Sequence, residues 1–345
     1  MQRVYDRLSP AQRVGQLLMI GLDGTSAASA DDAQIARQHV GNVIYLGGWT
    51  GSSRIRSTSK HLQSQASSSA TGGVPLLIAA DQEGGSVQQL KGPGFTPLVS
   101  ALQQGRMTAA KRIAYGKLIG GQLKAAGVNL NLAPVADTVP ASMSASNAPI
   151  GKYAREYGHD PATVATSVTD IVHGLHSAGV GATVKHFPGL GRITGNTDVT
   201  TTGTTDTKTT RTDSYLKPFL AGMTAGAGAV MMSSARYDKL DPAERATFSS
   251  RIITDLLRGK LGWHGVVITD DMNAVAVQGV STGQRAVRFV AAGGDIVLTG
   301  RADDAPTMTG ALIARAKSDK KFAGQVEAST KRVLALKQRL GLLHC

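Results

Sequence analysis

The sequence predicts an α/β fold, a single (β/α)8 TIM-type barrel, on three observations. Eight short apolar runs bounded by Gly, Pro and Asp recur along the 345 residues. A segment with helical periodicity separates each run from the next. Polar residues collect at the carboxyl ends of the runs, where a barrel concentrates its chemistry.

The strand candidates are residues 14–21, 42–47, 75–81, 128–137, 181–187, 228–234, 265–271 and 293–299. Their apolar character is continuous rather than alternating, as expected of parallel strands buried on both faces. Aliphatic residues dominate the 41% apolar content and aromatics make up only 4%, which suits such a core. Helical periodicity falls at 31–38, 57–68, 107–126, 161–178, 214–225, 249–260, 282–292 and 303–316, with a ninth helix at 322–340. Pro161 at a first turn and Ser249 ahead of an apolar run are start signals. No linker-like break interrupts the series, so the chain reads as one catalytic domain, 1–345, with a C-terminal helix. No G-x-G-x-x-G follows the first strand, which removes support for a dinucleotide fold.

Composition excludes several function classes. The formal charge of +13 comes from scattered Lys and Arg, with no basic run carrying interleaved aromatics and no nucleic-acid-binding signature. Cys345 is the lone cysteine, so neither an internal disulfide framework nor a Cys/His metal cluster is available. No stretch has the apolar length of a membrane span, and residues 1–10 lack a signal-peptide core. The Ser/Thr-rich stretches 67–71 and 200–210 resemble loops of secreted proteins. The expectation is a secreted or cell-wall-associated protein whose export signal has been removed, with a cytoplasmic protein as the alternative.

The third strand ends in Asp81-Gln82-Glu83, the fourth in Asp137, the fifth in Lys185-His186, the sixth in Ser233-Ser234 and the seventh in Asp270-Asp271. The connection from Pro188 to Asp213 is too long for a mere connector and reads as a functional loop or lid. A Lys at the end of an apolar strand needs a partner, because a buried ammonium is costly alone. Asp81 and Asp137 are the candidates.

Four motifs then stand in order, each at a strand's carboxyl end: Asp81-Gln82-Glu83-Gly84-Gly85, Asn129-Leu130-Asn131-Leu132-Ala133-Pro134-Val135, Lys185-His186-Phe187-Pro188-Gly189 and Ile268-Thr269-Asp270-Asp271-Met272. In these the chain resembles glycoside hydrolase family 3, and within it the β-N-acetylhexosaminidase branch, over nearly its whole length. The resemblance implies that Asp270 is the nucleophile that forms a covalent glycosyl intermediate. An ordinary helix N-cap is the other reading of this pair, and it suits Asp271 better. It further implies that Asp81, Arg155, Lys185 and His186 hold the sugar. Asp81 could instead simply end a strand before the Gly84-Gly85 turn, and Arg155 could be a surface residue of an ordinary loop. Ser86 stands where the family often carries Arg.

The acid/base loop departs from the family pattern. That branch usually continues K-H-F-P-G-H-G and then D-S-H, the last His protonating the leaving oxygen. Here Leu190 replaces the His between the glycines, and an ungapped count puts Asp198 at the acid position and Asn196 at that of its orienting Asp. Asp198 is expected to serve as a carboxylic acid/base, its amide neighbour Asn196 hydrogen-bonding to it without adding charge. Asp206, Asp213 and Glu156 are fallback acids. The implied function is a retaining exo-glycosidase that releases terminal β-linked N-acetylglucosamine from chitin or peptidoglycan fragments, acting as a monomer without metal or organic cofactor. A family 3 enzyme for glucose or xylose and a glycan-binding protein with an impaired acid loop are the alternatives.

Overall fold

The computed structural model describes residues 2–23 and 28–343 of the chain, so Cys345 lies outside the described residues. Eight strands run in chain order: β1 (Leu18–Asp23), β2 (Asn42–Leu46), β3 (Leu77–Ala80), β4 (Leu130–Asn131), β5 (Gly181–Phe187), β6 (Ala229–Met232), β7 (Val266–Thr269) and β8 (Val297–Thr299). Neighbours in sequence pair in parallel from β1 to β7. β8 pairs back onto β1, and a single bridge between Ile268 and Ile296 completes the ring. The fold is the predicted (β/α)8 barrel.

Helices α1 (Ala28–Gln38), α2 (Ser52–Ser64), α3 (Ala109–Ala125), α4 (Pro161–Ser177), α5 (Lys217–Thr224), α6 (Arg251–Lys260), α7 (Thr282–Ala291) and α8 (Ala305–Ser318) follow strands β1 to β8 in turn, and α9 (Lys320–Arg339) ends the series. All seven residues of β5 are buried, which is what its unbroken apolar run requires when helices cover one face and the barrel core the other. The start signals work as read. Asp160 accepts the backbone N–H groups of Ala162 and Thr163 ahead of Pro161, and the Ser249 hydroxyl accepts that of Ile252 at 3.1 Å.

Seven of the eight strands are shorter than the apolar runs that announced them, and two show plainly why. Val14 and Gly15 end a helix, Pro10–Gly15, because Ser9 and Gln12 form a reciprocal capping box at its start; β1 therefore begins only at Leu18. The run 128–137 forms a regular ladder only at Leu130–Asn131, since Pro134 has no N–H to donate and the chain continues beside β5 in irregular bonds.

The connection after β5 is a packed cap. Leu190, Ile193 and Thr197 are buried within it. At Gly195 a side chain would meet the Thr202 carbonyl oxygen at 1.9 Å, so only glycine lets this segment double back on itself. Its far end, Thr205–Asp206, is tied into a small sheet with Arg236–Tyr237 and Asp241–Arg245.

Candidate active site

A cavity of about 220 Å³ opens at the carboxyl ends of the strands, and Asp81, Arg155, Lys185, His186, Asp198 and Asp270 all face it. The barrel thus brings together the residues that the sequence assigned to the sugar, the nucleophile and the acid/base, the fallback acids excepted.

The floor is an ion-pair network. Lys185 at the end of β5 contacts Asp81 and, at 2.6 Å, Glu83. Arg155, carried by the loop after β4, grips both Glu83 oxygens at 2.7 and 2.9 Å and donates to the Pro149 carbonyl at 2.9 Å. Two cations and two carboxylates balance, which is what permits Lys185 and Glu83 to be almost fully buried. Burial pushes the Glu83 carboxyl up, but the Arg155 and Lys185 charges outweigh it and hold it down at about 2. Burial likewise works against the Lys185 ammonium, yet Asp81 and Glu83 keep its pKa above the ordinary value.

Beside this network His186 Nδ1 meets the Asp137 Oδ2 at 2.7 Å. Asp137 is fully buried, and its other oxygen accepts the Leu190 N–H at 2.7 Å and the His186 N–H at 3.3 Å. A carboxylate at Nδ1 keeps the proton there and leaves Nε2 as the ring nitrogen available to a ligand. Asp137 is therefore not the partner of Lys185 that the strand-end pattern suggested. That place belongs to Glu83, and Asp137 orients His186 and the start of the following loop.

Asp270 ends β7, directly after the fully buried Thr269. Its Oδ1 accepts the Asp271 N–H at 2.9 Å. Burial pushes its carboxyl up to about 6; His186 and Lys185 oppose the rise and Asp198 adds to it. Asp271 caps no helix, since the next one, Val275–Val277, has Ala274 at its start; its Oδ1 accepts the backbone N–H groups of Asn273 and Gly300, each at 2.9 Å, tying the turn after β7 to the end of β8.

Asp198 faces the cavity from the cap, with its side chain exposed. Backbone bonds fix its place: Val275 N–H donates to the Asp198 carbonyl at 3.1 Å and Ala276 N–H to that of Thr197 at 3.0 Å. Asn196 does not reach the Asp198 carboxylate as expected. Its Oδ1 accepts the Asp198 backbone N–H at 3.0 Å, a local turn that aims the segment instead of tuning the acid. Leu190, where the family pattern has His, is buried and forms apolar wall.

The fallback acids stand away from the cavity lining. Asp206 is occupied by Lys208 and Thr209, and Asp213 by Arg192 at 2.6 Å. Glu156 is fully buried without a side-chain hydrogen-bond partner among the described residues, His159 Nδ1 lying 3.8 Å away.

Three residues of the site escaped the sequence reading. Glu83 sat inside a recognised motif, and two cations facing one assigned carboxylate were the signal that a second was needed. Asp137 carries the strand-end signal, but it meets His186 and not the Lys185 that this signal suggests. Asn147 had no signal at all: fully buried, it donates to the Leu190 and Ile193 carbonyls at 2.8 Å and accepts the Ile150 and Gly151 N–H groups at 3.0 and 2.8 Å. It thereby joins the loop that carries Arg155 to the one that carries Asp198.

The profile described as glycosyl hydrolase family 3 N terminal domain matches residues 11–336. The chain belongs to glycoside hydrolase family 3. As a family 3 glycoside hydrolase it is an enzyme. Its sequence is 34% identical over 292 residues to a β-hexosaminidase of Xanthomonas campestris pv. campestris strain B100, covering 82% of this chain and 83% of the relative. Among solved structures it is similar to the β-N-acetylhexosaminidase of Beutenbergia cavernae DSM 12333, with 45% identity, a TM-score of 0.94 and coverage of 96% and 99% of the two chains. A family 3 β-N-acetylglucosaminidase from Paenibacillus sp. str. FPU-7 matches with 33% identity and a TM-score of 0.84, over 97% of this chain and 63% of the other. Among the described residues, no helix of this family 3 enzyme is long and apolar enough to cross a membrane.

Proposed function

We propose that this family 3 hydrolase is a retaining exo-β-N-acetylhexosaminidase that releases terminal β-linked N-acetylglucosamine from chitin or peptidoglycan fragments. The observation that carries the reading is the sharing of one cavity, about 220 Å³, by the rigid Asp270 and the cap-borne Asp198 above a charge-balanced floor. The names of the relatives supply the sugar.

In this scheme the Asp270 carboxylate attacks the anomeric carbon while the bond to the leaving oxygen breaks, and Asp198 gives its proton to that oxygen. Water then attacks the glycosyl ester, passing a proton to Asp198, and the Asp270–sugar bond breaks to restore both carboxyls. Asp81, Arg155, Lys185 and the Nε2 side of His186 hold the sugar hydroxyls.

The test is hydrolysis of 4-nitrophenyl β-N-acetylglucosaminide across pH. Asp270→Ala is expected to lower kcat by about a thousandfold or more. Because the nucleophile must be ionised and burial raises Asp270 to about 6, kcat/KM for the wild type should fall about tenfold per pH unit below that value. A wild type silent on every β-glycoside yet able to bind N-acetylglucosamine would replace this reading with a glycan-binding protein.

A further inference from the structure

Asp198 is positioned without help from its own side chain. Its exposed carboxylate has no hydrogen-bond or ion-pair partner among the described residues. Where it stands is therefore settled by the backbone of the loop that carries it. At 197–198 that backbone is tied to the loop after β7 by the N–H groups of Ala276 and Val275. At its start it is tied by Asp137, which accepts the Leu190 N–H, and by Asn147, whose Nδ2 donates to the Leu190 and Ile193 carbonyls, both at 2.8 Å.

Asn147 spends every polar group it has. Its main-chain N–H donates to the Met143 carbonyl at 2.8 Å and its carbonyl accepts the Lys152 N–H at 3.0 Å. Its Oδ1 accepts the Ile150 and Gly151 N–H groups, and the Ile150 carbonyl in turn accepts the Arg155 N–H at 3.2 Å. Two carbonyls on one side and two N–H groups on the other are a set that an amide satisfies and a carboxylate does not. The two ends of the amide thus face different loops, Oδ1 the one that runs on to Arg155 and Nδ2 the one that runs on to Asp198. A longer bond, from the Ala148 N–H to the Thr194 carbonyl at 3.3 Å, follows the same seam. Asn147 itself is fully buried and does not line the cavity. We infer that Asn147 is a positioning residue for proton transfer, setting where Asp198 stands relative to the sugar held by Arg155. The inference rests on the reading of Asp198 as the acid/base. A displacement of about 1 Å is enough to cost a reacting group about a hundredfold in rate, so the seam need not break for the acid step to suffer.

The experiment uses Asn147→Asp, which keeps an acceptor for Ile150 and Gly151 but ends the amide's donation to Leu190 and Ile193. The acid loop is released and the Arg155 loop is not. On the β-1,4 disaccharide of N-acetylglucosamine, whose leaving sugar needs a proton, kcat/KM should fall about tenfold or more. On 4-nitrophenyl β-N-acetylglucosaminide, whose leaving group needs none, it should fall no more than about threefold. The inhibition constant of N-acetylglucosamine should stay near that of the wild type. Asn147→Ala, which brings no charge near Asp198, should depress the disaccharide in the same way and also weaken N-acetylglucosamine, because both loops lose their bonds. The ratio of the two kcat/KM values, taken on one preparation, does not depend on the fraction folded, so a loss of stability alone leaves it unmoved. Ratios like that of the wild type in both Asn147 variants, beside a ratio that collapses in Asp198→Asn, overturn the inference and leave the acid in place. A ratio unmoved in Asp198→Asn as well removes Asp198 as the acid and this inference with it.

Discussion

The floor and the cap of the cavity are built on opposite principles. The floor stands at strand ends, buried, with each ionised group answered by another: Asp81 and Glu83 against Lys185 and Arg155. The cap presents Asp198 in the open, held by bonds from its backbone and by a turn from Asn196, with no ion pair among the described residues. The difference teaches that holding a sugar and transferring a proton ask for different supports. A cradle must be rigid and electrostatically closed, whereas an acid/base group must gain and lose a proton, which a tight cation would prevent. Substitutions in the floor should therefore damage folding and binding together, and those at Asp198 should damage chemistry alone.

Of the substitutions that set cap against floor, Asp198→Asn is expected to give the largest effect and the cleanest separation. With a sugar as leaving group, which departs poorly without a proton, kcat should fall about 10²–10⁴-fold. With 4-nitrophenolate, which leaves unprotonated, the loss in the glycosylation step should be much smaller, and Tm should stay near that of the wild type because the side chain is exposed. Equal losses on both substrates would move the acid away from Asp198. Glu83→Gln probes the floor: leaving Lys185 and Arg155 without their shared carboxylate should cost about 3–5 kcal/mol, read by chemical denaturation at pH 7. The sign of its pH dependence is fixed. The folded pKa is depressed to about 2 from 4.5, so this stabilisation is present above 4.5 and fades as pH falls towards 2. The gap between wild type and variant should shrink through that window, and a gap that ignores pH would remove Glu83 from the network.

The same contrast explains what could be read from the sequence. The barrel was legible because its strands are largely apolar runs, the third to the seventh ending in polar residues, as at 265–271, and each helix has its own period. Asp81, Lys185 and Asp270 were legible for the same reason: a strand end gives a residue an address. Strand limits were less so, since the capping box at Ser9 and the missing N–H of Pro134 override the apolar pattern locally. Partners across the mouth were poorly legible, because Glu83 and Asp137 both lie within reach of the cations and only the fold decides which meets which. The cap has no period, so Asn147, whose four bonds join its two loops, looked like any Asn in a Ser- and Ala-rich stretch. The turn made by Asn196 was likewise mistaken for a contact to the acid.

A carboxylate outside both regions tests how far the rule of answered charge extends. Glu156 follows Arg155 in sequence but joins neither floor nor cap. It is fully buried, its carboxylate oxygens have no hydrogen-bond partner among the described residues, and the nearest counterion among them is the exposed His159 at 3.8 Å. Burial pushes its carboxyl above the ordinary value of 4.5. A raised pKa means that the folded state holds the proton more tightly than the unfolded chain. Glu156 therefore supports the fold best at low pH and weakens it as pH climbs from the unfolded value through the raised one. Met, similar in length and uncharged, should relieve that cost, because replacing an unpartnered buried polar group by apolar bulk is neutral or favourable. Relative to the wild type, Glu156→Met should gain about 1 kcal/mol, or about 2 °C in Tm, at pH 8 and little at pH 4. A difference that is the same at both pH values would mean that Glu156 is answered after all, and that the contrast between floor and cap holds without an exception.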